Sequence, residues 1–197
     1  MALFTGKGDG GTTKLYDTEK GVRISKASPI AETLGTLDEV NSFLGLCKVE
    51  VRKDNWYVGS EYPSIEHIIH ELQEGLFIVQ AEIAGAEKSI KGSRIVEMEE
   101  VINAIEKELP PINTFFISGG CKLSSLLDYA RTLSRRAERR VVDLIEPLYP
   151  DGKVKEYRRK VSRESLAFLN RLSSVLYALA RLSNHKSGIK ESAPKYK

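Results

Sequence analysis

Apolar residues along this chain recur at three- and four-residue steps, the spacing that places side chains on one face of an α-helix, and they do so in separate runs divided by polar breaks. Leu34, Leu37, Leu44 and Val49, with Asn41 on the same line, predict a first helix over 30–52. Residues 54–63 form a break. Ser64 is placed to cap a second helix, marked by Ile65, Ile68, Ile69, Leu72, Leu76, Val79 and Ile83 and running to about Ala86. A third extends from about Ser93 to Leu109, where Pro110 and Pro111 end it because proline lacks an N–H and clashes with the preceding turn. The fourth starts soon after Gly120, carries Ala130, Leu133, Ala137, Val141 and Leu144 on one stripe, and ends at Pro147 and Pro150. Leu166, Leu169, Leu172, Leu176 and Leu179 give the fifth, to about Ser183. No run alternates with the period of two that a strand requires, and no internal repeat is present. Helices with one apolar stripe each bury those stripes only against one another. The expected fold is therefore all-α, a five-helix antiparallel bundle in one domain over 1–197. It divides into an N-terminal Gly/Thr loop segment (1–29), the bundle (30–183) and a mobile tail from Asn184 onward.

At 197 residues the chain is long enough for a single sizeable core, and 41% hydrophobic with 29% charged residues suits a globular protein. The formal charge of +3 is too small to argue for nucleic acid or a membrane surface, so any affinity for phosphate must come from local placement. Cys47 and Cys121 form no CxxC pattern, which favours free thiols in a reducing compartment. With no apolar run of membrane-spanning length and structured-looking sequence from Leu3 or Phe4, a cytoplasmic location is expected.

Local placement of charge is conspicuous on the fourth helix. Arg131, Arg135 and Glu138 line up on a second stripe beside the apolar one, within the run Arg131-Thr-Leu-Ser-Arg135-Arg136-Ala-Glu138-Arg139-Arg140. The guanidinium fork matches phosphate oxygens and stays charged when partly buried, so the strip suits a polyanion; a solvated basic face with intrahelical Arg–Glu pairs explains it equally. At the N-terminus, Thr5-Gly6-Lys7-Gly8-Asp9-Gly10-Gly11-Thr12-Thr13 gathers backbone N–H groups and hydroxyls able to wrap phosphates, or else is a flexible end. It is not a Walker A loop, because Thr12 stands where the lysine belongs and no apolar strand precedes it. On the first helix, Asp38, Asn41 and Ser42 adjoin the apolar line, for which ordinary surface polarity is the default explanation. Asn170, between Leu169 and Leu172, needs a partner, either a neighbouring helix or a ligand. Phe115 and Phe116 precede the Ser118-Gly119-Gly120 turn and either anchor their loop or serve a site. His67 and His70 lie one turn apart among Glu66, Glu71 and Glu74, which reads as a solvated face, and no protein metal site is expected. No nucleophile-and-base pattern or paired-carboxylate pattern of a hydrolase is present.

Five motifs in one order carry a resemblance over Phe4 to Arg181: the Thr5–Thr13 loop, Gly35-Thr-Leu-Asp38-Glu39-Val-Asn41, Phe115-Phe-Ile-Ser-Gly119-Gly120, Arg135-Arg-Ala-Glu138-Arg139 and Leu169-Asn170-Arg-Leu-Ser173. Together they resemble the PduO-type ATP:cob(I)alamin adenosyltransferases. That resemblance implies a homotrimer with active sites between subunits, and transfer of the 5′-deoxyadenosyl group of ATP to cobalt with release of triphosphate. It also implies Mg²⁺ beside the phosphates, a cobalamin reductase upstream and an adenosylcobalamin-dependent acceptor enzyme downstream. By the same resemblance, Thr5, Gly6, Lys7, Gly8, Asp9, Gly11, Thr12 and Thr13 with Lys26 hold ATP, together with Arg135, Glu138 and Asn170. Asp38 matches the partner of Arg131 in a salt bridge across the subunit boundary, and Phe115 the aromatic that closes the lower face of the corrin. The chain departs from the pattern at Gly6, where a lysine is usual, at Ile30 for an arginine, at Ser118 for a proline and at Ser174 for an aspartate. The connector over 146–161 is also longer than usual. A bundle that binds ATP or cobalamin without efficient transfer is the alternative these departures leave open.

Overall fold

Ser28 turns the N-terminal segment into the first helix. Its Oγ accepts the Ala31 N–H at 3.4 Å, and Pro29 follows at a position where its missing N–H has no partner to lose. In this computed structural model, which describes residues 2–54, 56–60, 62–145 and 159–196, the described residues form helices α1 (Pro29–Val51), α2 (Ile65–Ile83), α3 (Gly92–Glu108), α4 (Lys122–Ile145) and α5 (Arg163–Lys186). Serine caps recur. Ser64 accepts from His67 N–H at 3.2 Å to start α2, as expected, and Ser162 accepts from Ser165 N–H at 3.2 Å to start α5. Helix α3 has no side-chain cap and ends at Leu109, before the two prolines. The expected stop of α4 at Pro147 and Pro150, and all of the connector before Arg159, lie outside the described residues.

Helix α4 packs between α1 and α5, and α5 also meets α2 and α3. Cross-helix pairs give the directions. Glu32 faces Arg140 while Glu50 faces Lys122, and Asp128 faces Arg181 while Glu138 faces Asn170, so α4 runs antiparallel to both α1 and α5. Helix α3 lies beside α5 in the same sense, with Glu99 on Arg171 and Glu108 on Lys186. The crossing of α2 over α5 is close: a Cβ on Gly75 would lie 2.4 Å from Phe168 Cζ, so glycine alone lets the fully buried Phe168 ring fill that space.

The stripes read from the sequence are largely the core, since every marked residue of α2 is buried, as are Ala130, Leu133, Ala137, Val141 and Leu144 of α4. Three expectations need correction. Val49 is 55% exposed, and the α1 stripe continues through Cys47 and Val51 instead. Five residues beyond Leu44, Val49 has turned about 140° round the axis. The N-terminal segment is not free of strand, because β1 (Thr12–Thr13) pairs antiparallel with β2 (Ile24–Ser25), Thr12 opposite Ser25. Two residues are a single period, too short for alternation to register. The third concerns the tail. Helix α5 continues to Lys186, Asn184 is fully buried, and Ser192 accepts a hydrogen bond from Ile117 N–H at 2.9 Å, so the chain beyond Ser183 is docked where a loose end was expected. No described helix is long and apolar enough to cross a membrane.

Candidate functional site

The arginines of α4 divide into two sets by what faces them. Arg136 is paired with Glu39, and Arg140 Nη2 lies 3.8 Å from Glu32 Oε1, so both are taken up by α1 on the solvated side. Arg135 is exposed and has no ion pair among the described residues. It borders a groove of about 870 Å³ together with Arg131, Phe115, Phe116, Ser174 and Tyr177. The surface-face explanation thus accounts for Arg136 and Arg140 and leaves Arg135 facing open space.

Phe115 is 77% exposed at the rim of that groove, whereas Phe116 is half-buried with its ring 5.9 Å from the Arg181 guanidinium carbon. Anchoring the loop is therefore the task of Phe116. A benzyl group left in water forgoes roughly 25 cal/mol per Å² of burial, which a second anchor would have collected.

Beneath the rim, Asp128 and Arg181 are almost fully buried and hydrogen-bonded at 2.6 Å. Arg131 sits above them, its Nε 3.6 Å from Asp128 Oδ1, outside hydrogen-bonding range, and that buried Nε has no hydrogen-bond partner. Asp38 is exposed on α1, and Arg131 takes Asp128 as its partner within the chain. Further along α4 the structure brings Glu138 and Asn170 together, with Asn170 Nδ2 donating to Glu138 Oε1 at 3.1 Å. Asn170 Oδ1 accepts from Arg171 Nη1 at 2.7 Å, and Arg171 is held by Glu99. Asn170 is exposed, not enclosed by its apolar neighbours, because Leu169 and Leu172 point to the core on either side of it.

The N-terminal loop is shaped by its hairpin. Gly6 (φ 66°) and Gly11 (φ 74°) take left-handed conformations, Lys26 N–H donates to Gly11 O at 2.9 Å, and Arg23 clamps Thr12 with two hydrogen bonds of 2.8 Å. Lys26 Nζ would lie 3.1 Å from a Cβ on Gly8, so the ammonium overhangs the Gly-rich strip. Thr5, Lys7 and Asp9 are exposed. Thr13 and Lys26 line a cavity of about 360 Å³ that shares no lining residue with the groove of Arg135. Within one chain the loop and the arginine strip thus remain separate.

Other candidates are ordinary. His67 and His70 are exposed, and His70 lies beside Lys48 and Glu74. Burial pushes the Cys47 thiol up to about 12, which keeps it a neutral packing group. Ile30 is core, at 2% exposure, so the position where an arginine is usual carries packing here. Two residues of the region escaped the sequence reading. Arg181 stands between Ala180 and Leu182 in an apolar run, a visible signal, since a charge there requires buried partners. Asn184 has its amide against Gly120, where a Cβ would come within 2.2 Å of Oδ1, and no local pattern announces that contact.

A family model described as cobalamin adenosyltransferase matches residues 3–183. The chain is 34% identical over 192 residues to the corrinoid adenosyltransferase PduO of Citrobacter freundii, covering 94% of this chain and 50% of that protein. It is 36% identical over 191 residues to the corrinoid adenosyltransferase of Bacillus subtilis, covering 96% and 90%. The chain spans about half the length of the PduO relatives it matches. Its fold is similar to that of a variant PduO-type ATP:corrinoid adenosyltransferase from Lactobacillus reuteri complexed with cobalamin and ATP, at a TM-score of 0.81 and 25% identity, covering 99% of this chain and 97% of that one.

Proposed function

Because the chain belongs to the cobalamin adenosyltransferase family, we propose that it transfers the 5′-deoxyadenosyl group of ATP to the cobalt of cob(I)alamin, giving adenosylcobalamin and triphosphate. The observation that carries this reading is the presence, in one groove, of an arginine with no ion pair among the described residues and an outward-facing aromatic ring, Arg135 and Phe115.

The chemistry needs no activated Ser, Cys or His as nucleophile. Co(I) supplies the electron pair, which forms the Co–C5′ bond as the C5′–O bond breaks and its electrons pass to the triphosphate oxygen. The protein has to align these atoms and meet the growing negative charge. Arg135 is the group for the leaving triphosphate. Glu138 and Asn170, already hydrogen-bonded to each other, orient the nucleotide, and the Thr5–Thr13 loop with Lys26 wraps the phosphates.

The hydroxyls of Thr5, Thr12 and Thr13 and the carboxylate of Asp9 are hard oxygen donors, exposed at Thr5 and Asp9 and half-buried at Thr12 and Thr13, a set that fits Mg²⁺ bound mainly through substrate phosphates. When bound, the ion neutralises charge on those phosphates. Since the loop and Arg135 border different cavities of one chain, the complete site lies between copies, which fits a homotrimer in which Asp38 pairs with Arg131 of the neighbouring subunit. A cobalamin reductase to supply Co(I), an acceptor for the product and a cytoplasmic setting complete the proposal; free thiols at Cys47 and Cys121 support that setting.

Incubating the protein anaerobically with ATP, Mg²⁺ and chemically reduced cobalamin is expected to yield the cobalt–carbon product and intact triphosphate. Release of ADP and orthophosphate would overturn the assignment. Ser174, exposed in the groove where the family's motif closes with an aspartate, favours a second reading, a bundle that binds ATP or cobalamin without efficient transfer. Tight binding of both with no product would select it.

Reversing the charge of Asp38 or of Arg131 alone is expected to weaken trimer assembly or corrinoid binding, and reversing both to restore part of it, by about 1 kcal/mol of coupling or more. Light scattering with activity assays checks this, and a fully active monomer contradicts it.

A further inference from the structure

Arg181 has its guanidinium beneath the groove at 2% exposure, a placement that costs several kcal/mol unless its partners are fixed. Those partners come from three other segments and from its own helix. Asp128 of α4 accepts from Nη2 at 2.6 Å. Glu191 of the C-terminal segment has Oε1 3.0 Å from Nε, an ion pair outside hydrogen-bonding geometry. The rings of Phe116, from the loop that carries Phe115, and of Tyr177 lie 5.9 and 4.9 Å from its central carbon. Asn184 ties the same segments together, since its Nδ2 donates to Gly119 O at 2.9 Å and to Glu191 Oε1 at 2.6 Å while its Oδ1 accepts from Cys121 N–H at 3.0 Å.

Asp128 is thus shared unequally. Arg181 takes one oxygen at hydrogen-bonding distance, and Arg131 keeps only a 3.6 Å contact with the other, its Nε unbonded. Without Arg181, the buried carboxylate would have Arg131 as its one cation among the described residues and would draw it inward.

We propose that Arg181 is a positioning residue for the corrinoid side of the groove. It balances Asp128 so that Arg131 remains available to Asp38 of the partner subunit, and it pins Phe116 so that Phe115 stays extended at the rim. This rests on the function proposed above, and the phosphate loop and Arg135 take no part in it.

A merely structural role makes a different forecast. A buried ion pair replaced on both sides by apolar residues of similar volume is often neutral for stability, so Arg181→Met with Asp128→Leu is expected to unfold near the wild-type temperature and, with the carboxylate that would draw Arg131 inward gone, to keep more of its cob(II)alamin affinity than Arg181→Met alone. In Arg181→Met alone, affinity for cob(II)alamin in the presence of ATP is expected to fall by about tenfold or more, equivalent to 1.4 kcal/mol. The four-coordinate Co(II) signal in electron paramagnetic resonance should fall with it, while ATP affinity measured by titration is unchanged. Wild-type cob(II)alamin affinity and signal in this variant, or equal losses for ATP and cobalamin, would overturn the proposal.

Should Arg181→Met fail to fold, Arg181→Lys decides, because it keeps the charge and loses the fork that reaches Asp128 and Glu191 together. Selective loss of cob(II)alamin affinity supports positioning, and wild-type affinity refutes it. These are binding measurements, so a wild-type protein that binds both substrates yet transfers nothing would sink the adenosyltransferase reading while leaving Arg181 fully tested.

Discussion

Arg135→Ala is expected to lower kcat by roughly a hundredfold or more, with the fold intact. Arg135 is exposed and makes no ion pair among the described residues, so its removal opens no cavity and orphans no buried carboxylate. On the proposed function, what it removes is a charge that meets the departing triphosphate, and deleting one preorganised donor of that kind typically costs about 3 kcal/mol of barrier. The loss should fall on kcat and kcat/KM together, because the interaction strengthens as charge develops on the leaving group. Arg136→Ala is the internal control. That guanidinium is already paired with Glu39 on the other side of the helix, and turnover close to wild type is expected. Steady-state kinetics with pre-reduced cobalamin compares the two, and a sluggish Arg136 variant beside a fast Arg135 variant would invert the assignment of the strip.

For Phe115→Ala, turnover starting from Co(II) with a weak reductant is expected to fall far more than turnover starting from Co(I) made in advance. A ring that is 77% exposed at the groove's rim does little for the core, so the change should leave the melting temperature nearly unchanged. Its proposed task is steric and apolar: to fill the space of a lower axial ligand while offering cobalt no lone pair, leaving a four-coordinate Co(II) that is easier to reduce. Phe116→Ala makes the contrast, since Phe116 packs beside Arg181 and its loss should cost stability as well. Electron paramagnetic resonance with ATP present should show the four-coordinate signal weakened in the Phe115 variant. If both cobalt states lose activity equally and that signal persists, Phe115 is only a loop residue.

Arginine placement shows where reading one dimension stops. The sequence puts Arg131, Arg135, Arg136 and Arg140 on α4 with equal clarity, and helical geometry even separates their faces. Which of them is already engaged depends on Glu32 and Glu39 of α1, about a hundred positions away in the chain. Phe115 and Phe116 are adjacent and chemically identical, and only the position of Arg181 beneath the loop distinguishes anchor from exposed ring. The docked tail belongs to the same class, because Asn184, Glu191 and Ser192 carry no periodicity and are fixed by contacts with Gly119, Arg181 and Ile117.

By itself the sequence determined the helices, the serine cap at Ser64, most of the core stripes and the order of motifs that marks the family, because each of these is a local pattern repeated within a few residues. Only the tertiary structure decided that Val49 faces solvent, that Arg135 has no ion pair among the described residues, that Arg181 lies buried under the groove, and that the N-terminal Gly/Thr loop and the arginine strip border separate cavities of one chain. The reason is physical. Local patterns follow from backbone geometry within one element, whereas burial and pairing of a charge depend on which distant element supplies the counter-charge and excludes the water.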